Sequence, residues 1–186
     1  IMAAATVPSG HLLQKAVDGL ALIDQHKFTA RFYIVAVGGQ LLCYEDSVVF
    51  IHGEAYAPND ANHASQVDNR SYRDPGSRIK LVPGSQTVHA GTLAKAAKAV
   101  ASDMTGLLDE VREASYAGDS EEKAFAVLAV DTLLTKSGDL KLLRIHTFPN
   151  FITTAQIDAD VHVPLFEDVL RVMAGIPSRK LVTITE

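Results

Sequence analysis

The chain has very little cysteine, and this scarcity excludes two classes of protein. Cys43 is the single cysteine among 186 residues. It has no partner for an internal disulfide and cannot build a site of several thiolates, so neither a disulfide scaffold nor a cysteine-rich metal site is expected. Cys43 lies in an apolar run, which indicates core packing rather than a nucleophile. We therefore expect a reducing, cytoplasmic setting.

Long apolar runs and clustered positive charge are also missing. No run approaches the about 20 apolar residues of a membrane-spanning helix, and the opening residues lack the charged and apolar blocks of a secretory signal. The 17 Lys and Arg residues are scattered among 22 Asp and Glu residues, for a formal net charge of -5. Such a chain lacks the basic surface that binds nucleic acid or anionic lipid, so we expect neither partner. Because it begins with Ile1, we expect a piece of a longer polypeptide.

What the chain does have is enough apolar sequence for one domain across residues 1–186, since 47% of its residues are hydrophobic. Residues 32–37 and 40–44 flank Gly38 and Gly39, which predicts a tight hairpin because glycine tolerates positive φ. Residues 47–51 predict the next strand. Residues 53–91 are rich in Gly, Pro, Asn, Asp and Ser, which predicts a long loop insertion, and such loops are uncommon unless functional.

The second half alternates helix and hairpin signals. From Thr92, a candidate N-cap, apolar residues recur at helical spacing. Residues 125–134 and 140–145, joined by a KSGD turn, predict a second hairpin. A last helix follows Pro164, with Gly175 as a candidate C-cap. This order predicts an α+β fold, an antiparallel sheet with covering helices on one side.

Three polar side chains interrupt the second hairpin. Asp131 lies in its first strand, while Arg144 and His146 lie in its second and share one face, because side chains alternate along a strand. The three can therefore face one another across neighbouring strands. Asp131 is either a structural carboxylate paired with Arg144 or a metal position. His146 is a candidate metal ligand or acid-base group.

The stretch LLQKAVDGLALIDQHKFTARFYIVAV resembles tubulin-tyrosine ligase-like proteins, in which a QKY element, an apolar link with LLID and a KFDxRxYVLV strand follow in this order. The matching residues are Gln14, Lys15, Leu22, Ile23, Asp24, Lys27, Phe28, Arg31, Tyr33 and Val35. Downstream, HASQVDNRS stands where the family has HLTN, and FAVLAVDTLLTKSGDLKLLRIHTFPNF stands where it has a metal-binding Asp followed by LLEVNxxP. The resemblance implies the C-terminal half of an ATP-grasp domain, a fold that activates a carboxylate as an acyl phosphate and joins it to an amine.

The resemblance also assigns roles to individual residues. Asp131 matches the metal-binding Asp, whereas Arg144 and His146 replace the Glu and Asn with which the family holds Mg²⁺ on ATP. Because a guanidinium keeps its charge at physiological pH, Arg144 would pair with Asp131 or with a phosphate and would repel Mg²⁺.

The family's nucleotide contacts fall on basic and amide residues of this chain. They imply cofactor-binding roles for Gln14, Lys15, Lys27 and Arg31, and Arg31 would be catalytic if the enzyme were active. Arg144 joins the cofactor-binding candidates as a replacement for the charge of the ion against a phosphate. Otherwise the lysines and Arg31 pair with local acids such as Asp24.

These departures predict a degenerate tubulin-tyrosine ligase-like domain, a pseudoenzyme that acts as a structural or protein-binding module. By family analogy its partner is tubulin or a large assembly, in the cytoskeleton or a cilium. One alternative is an active ATP-dependent ligase that adds an amino acid to tubulin or another protein, which would require Mg²⁺. Another is a module that binds ATP without metal, in which Arg144 replaces the charge of the ion.

Overall fold

The centre of the protein, in a computed structural model, is a six-stranded antiparallel sheet in the order β3-β2-β1-β4-β5, with β6 also paired to β2. The structure describes residues 15–58, 66, 78–114 and 125–184. The strands are β1 (His26–Val37), β2 (Gln40–Ala55), β3 (Lys80–Pro83), β4 (Phe125–Leu134), β5 (Leu140–His146) and β6 (Leu181–Thr183). Every pairing is antiparallel, so the predicted α+β class with an antiparallel sheet is confirmed.

The first hairpin forms where its glycines predicted it. Gly38 and Gly39 have φ values of 55° and 75°, the left-handed conformation of a two-residue turn between twisted strands. The strand predicted for residues 47–51 is a continuation of β2 rather than a separate element. Ser47 pairs with Phe32 of β1, so the hairpin is simply longer than expected.

Helices cover both faces of the sheet, so the prediction of helices on one side was wrong. Phe32 and Ile34 pack with the helices α1 (Ala90–Asp103) and α2 (Thr105–Ala114). Tyr33 and Val35 pack on the other face with α3 (Ala155–Ile157), a π-helical turn (Asp158–His162) and α4 (Val163–Met173). Successive side chains of β1 point to opposite faces and both sets are apolar, so each face needs a cover.

The first helical region is confirmed, but it is broken in two. α1 begins at Ala90 with His89 at the N-cap position, so Thr92 lies inside the helix and does not cap it. The break falls at Met104. There the Thr105 hydroxyl donates to the Ser102 carbonyl at 2.6 Å, a side-chain bond that competes with continuous helix. None of the helices in the described ranges combines the length and the apolar character that a bilayer crossing requires.

The last helical region starts earlier than the sequence predicted. The backbone turns helical at Ala155, and Thr154 caps this start by accepting a hydrogen bond from the Ile157 N–H at 3.3 Å. Gly175 follows the end of α4 with a φ of 73°, which confirms the predicted glycine stop.

The predicted loop at residues 53–91 contains regular structure in its described parts. It includes the end of β2, all of β3, a 3₁₀ turn (Gly84–Gln86) and the start of α1. Asp46 holds the 3₁₀ turn, since its Oδ2 accepts from the Ser85 hydroxyl at 2.7 Å. Apart from Gln66, residues 59–77, with most of the HASQVDNRS segment, lie outside the described residues.

Candidate functional site

Arg31 and Asp131 form a buried ion pair within the sheet. The pairing of β1 with β4 sets them directly opposite each other. Arg31 donates from Nε to Asp131 Oδ1 at 2.7 Å and from Nη2 to Oδ2 at 2.9 Å. Their side chains are only 8% and 10% exposed. This two-point contact matches the planar guanidinium to the carboxylate and compensates two charges that burial would otherwise penalise.

His146 of the edge strand β5 completes this group. Its Nε2 lies 2.8 Å from Asp131 Oδ2 and 3.2 Å from Arg31 Nη2. Because an ionised carboxylate can only accept hydrogen bonds, Nε2 is protonated and donates a hydrogen bond to Asp131. The contact with Arg31 then joins two donors and is not a hydrogen bond. We call Arg31, Asp131 and His146 the ionic triad.

Electrostatics keep the central pair charged at neutral pH. Burial by itself would raise the pKa of Asp131, but the hydrogen bonds and charge of Arg31, followed by those of His146, outweigh burial and lower it. Burial would likewise lower the pKa of Arg31, and Asp131 reverses that effect. Both groups are therefore ionised, and their opposite charges give the pair no net charge inside the sheet.

The loop after β5 connects the triad to a second polar group. Arg31 Nη1 donates to the Asn150 carbonyl at 3.1 Å. The next residue, Phe151, stacks on Tyr33 with ring centroids 5.7 Å apart and meets His162 edge-on at 5.2 Å. Tyr33 is two residues from Arg31 on the same strand, so both groups lie on one face of the sheet.

The second group is a chain of hydrogen bonds through the π-helical turn. His162 Nδ1 lies 3.2 Å from Asp158 Oδ1, and its Nε2 lies 2.8 Å from the Tyr33 hydroxyl. Burial lowers the pKa of His162 more than Asp158 raises it, so the imidazole is neutral at pH 7. Nδ1 then donates to Asp158, and the Tyr33 hydroxyl donates to Nε2. π-helical turns are rare and often lie at functional sites.

Arg144 is not the partner of Asp131, so the interpretation that paired the two was wrong. It stands opposite Asp131 in the register of β5, yet its side chain is exposed, and the carboxylate is held by Arg31 and His146. The difference follows from burial. An exposed guanidinium is solvated by water, whereas Arg31 without Asp131 would leave a buried charge uncompensated.

The other predicted nucleotide residues are not gathered at the triad. Lys27 donates to the Gln66 carbonyl at 2.8 Å, and burial lowers the pKa of Lys27. Lys15 pairs with Asp18 at 3.5 Å on an exposed segment. Gln14 lies outside the described residues. Of the predicted nucleotide contacts within the described residues, Arg31 belongs to the triad, and Arg144 stands opposite Asp131 on the other side of β4.

The triad does not fit Mg²⁺. That ion needs oxygen ligands with lone pairs directed at it, in octahedral geometry. Both oxygens of Asp131 already accept from N–H donors, and the neighbouring family positions carry the nitrogen side chains of Arg144 and His146. Within the described ranges, no group of three His, Cys, Asp or Glu side chains is placed to hold a metal.

Two features of the site were missed by sequence reasoning, although each left a signal. Arg31 is the single charged residue in residues 28–37, the apolar part of β1, and Asp131 is the single charged residue in β4, so two apolar stretches carry one charge each, of opposite sign. Pairing those strands would have predicted the ion pair. The spacing of four residues between Asp158 and His162 places both on one helical face, which signals the second group.

Neither the protein-family models nor the curated proteins provide a match to this chain.

Proposed function

We propose that this chain is a non-catalytic module of the tubulin-tyrosine ligase-like kind, with a structural or protein-binding role in a microtubule- or cilium-associated assembly. One observation carries the non-catalytic part of this proposal. The carboxylate of Asp131, at the position where the family resemblance implies a metal ligand, is bound at both oxygens by Arg31 and at one also by His146.

The ion pair opposes metal binding energetically as well as sterically. A divalent ion would have to displace Arg31 from Asp131, and the hydrogen bonds of the buried guanidinium to other described residues reach no second carboxylate. Breaking a buried pair is strongly unfavourable because it leaves an uncompensated charge. The two family positions that would supply further oxygen ligands carry Arg144 and His146. No additional ligand at these positions therefore compensates the energy lost when Arg31 is displaced.

A second function, nucleotide binding without metal, is favoured by the exposure of Arg144. Asp131 does not bind its guanidinium. Arg144 lies in the edge strand β5, directly opposite Asp131 in the strand register, and its side chain is exposed. A phosphate could accept two parallel hydrogen bonds from it, as guanidinium groups commonly provide.

Thermal unfolding with ATP separates these proposals. A ligand that binds only the native state at about 100 times its Kd adds about 2.7 kcal/mol of stability, which raises the melting temperature by several degrees. We expect no shift that depends on Mg²⁺. A shift with ATP that persists in chelator and is lost in Arg144→Gln would support nucleotide binding without metal.

A magnesium-dependent shift, or ATP turnover by the unmodified chain, would overturn the non-catalytic proposal and favour the ligase. Lys98→Ala serves as the matched control for Arg144→Gln. Lys98 is an exposed basic residue of α1 that pairs with Glu45 and lies away from the triad. An effect of equal size in both variants would reflect general loss of positive charge rather than a site.

A further inference from the structure

The outer face of α4 carries a row of apolar residues that point to solvent. Val163 and Leu170 are 52% and 61% exposed, and the exposed Ala174 follows the last helical residue. Spacings of seven and four positions place all three in one line along the helix. Leu165 and Val169 lie on the opposite side of α4 and pack into the core. α4 therefore has two apolar faces, and the core of the described fold covers the inner one.

Two residues of opposite charge border this apolar row. Glu167 and Arg171 are four positions apart, so both lie along the same edge of the row. The Glu167 side chain is 58% exposed and lies 3.8 Å from Arg179. The Arg171 side chain is 33% exposed, lies 4.0 Å from Asp168 and donates from Nε to the Pro177 carbonyl at 3.0 Å. Both charges can therefore be reached by a molecule that packs on the apolar row.

This pattern complements itself when a second copy of α4 lies antiparallel to the first. With the two-fold axis midway between Glu167 and Arg171, Glu167 of each copy faces Arg171 of the other. The charged edges meet because the axis runs along the interface and keeps each edge on its own side. Leu170 then lies beside its own counterpart, and Val163 meets Ala174 of the second copy. Single exposed apolar residues are ordinary, whereas a row bordered by complementary charges is typical of an interaction surface.

We propose that the outer face of α4 is a dimer interface, occupied by α4 of a second copy of this chain. The charges argue for this occupant, because one acidic and one basic residue on the same edge are both paired when the face meets itself. α4 is 11 residues long, or about 17 Å at the usual rise. The interface is thus at the small end of specific contacts, and we expect a weak dimer that dissociates on dilution.

Sedimentation equilibrium of the complete chain at several concentrations tests this proposal. We expect the mass to rise from that of the monomer to that of the dimer as the concentration increases. Leu170→Ser should raise the Kd at least about tenfold, because each dimer loses two buried leucine side chains. Val88→Ser is the matched control and should leave the Kd unchanged. Val88 is 84% exposed but precedes α1, which covers the other face of the sheet.

Reversal of the edge charges tests the antiparallel arrangement. Glu167→Arg and Arg171→Glu each place like charges opposite each other twice in a dimer. Each variant should therefore dimerise about ten- to a hundredfold more weakly than the wild type. An equal mixture of the two variants should recover dimerisation, because both edge contacts of the mixed dimer join opposite charges. The double variant, Glu167→Arg with Arg171→Glu, should recover it for the same reason.

Three results would overturn the proposal. A chain that stays monomeric up to about 1 mM would have no such interface. An equal Kd for the wild type and Leu170→Ser would place dimerisation on another surface. Charge-reversed variants that stay monomeric when mixed, although their melting temperatures match that of the wild-type monomer, would exclude the antiparallel pairing. None of these residues belongs to the ionic triad, so the non-catalytic role does not depend on the outcome.

Discussion

Replacing Asp131 by asparagine should destabilise the protein more than any other single polar substitution at the site. Both carboxylate oxygens face N–H donors, from Arg31 on one side and from Arg31 and His146 on the other. Either orientation of the asparagine amide therefore turns an NH₂ group toward a donor. The guanidinium of Arg31, with a side chain 8% exposed, loses its only carboxylate partner in the triad.

The expected loss of unfolding free energy is about 3–5 kcal/mol, the usual consequence of removing one member of a buried pair. Replacing both members with apolar residues of similar size, Arg31→Met with Asp131→Leu, should lose much less, because no buried charge remains. The measurement is urea unfolding at pH 7 followed by far-UV circular dichroism, since the chain has no tryptophan.

A thermodynamic cycle of the two single variants and the double variant gives the coupling energy between the residues. The exposed pair of Arg78 and Glu54, with side chains 69% and 38% exposed, is the matched control, and Glu54→Gln should change stability far less. Two results would refute the interpretation that Arg31 and Asp131 form a buried pair whose charges compensate each other: a loss below about 1 kcal/mol for Asp131→Asn, or a double variant as unstable as the single one.

Three other predictions test different parts of the fold. Because folding lowers the pKa of His162, the unfolded chain binds more protons, so stability should fall as the pH drops below about 6.5, and His162→Gln should flatten that dependence in unfolding measured at several pH values. Gly53→Ala would place a Cβ 2.5 Å from the Cβ of Arg78 and should lower stability by about 1–3 kcal/mol in urea unfolding. Gly106→Ala, in a helix and with no contact of the new Cβ within 4 Å beyond its own turn of helix, should raise stability by about 0.5–1 kcal/mol. A stabilising Gly53→Ala would contradict this packing. Burial raises the pKa of Cys43 to about 12, so its thiol should react with a disulfide reagent only after denaturant is added, and fast labelling of the folded chain would contradict its burial.

Local features were predicted well where one physical rule dominated. Gly38 and Gly39 specified the first hairpin because few other residues accept positive φ at two successive positions. The hairpin of β4 and β5 was predicted from two apolar runs joined by a turn. Gly175 marked the end of the last helix for the same backbone reason as the hairpin glycines.

The second layer of helices could have been predicted and was not. Residues 32–37 are apolar without alternation, which is typical of a strand buried on both faces. The early start of the last helical region was harder to predict, because the polar residues of the π-helical turn mask its apolar face. Asp158 and His162 lie there next to the buried residues Ile157 and Val161.

By itself, the sequence determined the four long strands, the tight turns and the antiparallel class, because these depend on backbone preferences and on the spacing of apolar residues, whereas the short strands β3 and β6 were not predicted. It also placed Asp131, Arg144 and His146 in the strands of the second hairpin. Only the tertiary structure decided which of them pair. Asp131 has arginines opposite it on both neighbouring strands, and the buried Arg31 holds it while the exposed Arg144 remains in water. The physical reason is that a charge removed from solvent must find a partner, and burial is a property of the assembled layers rather than of any one strand.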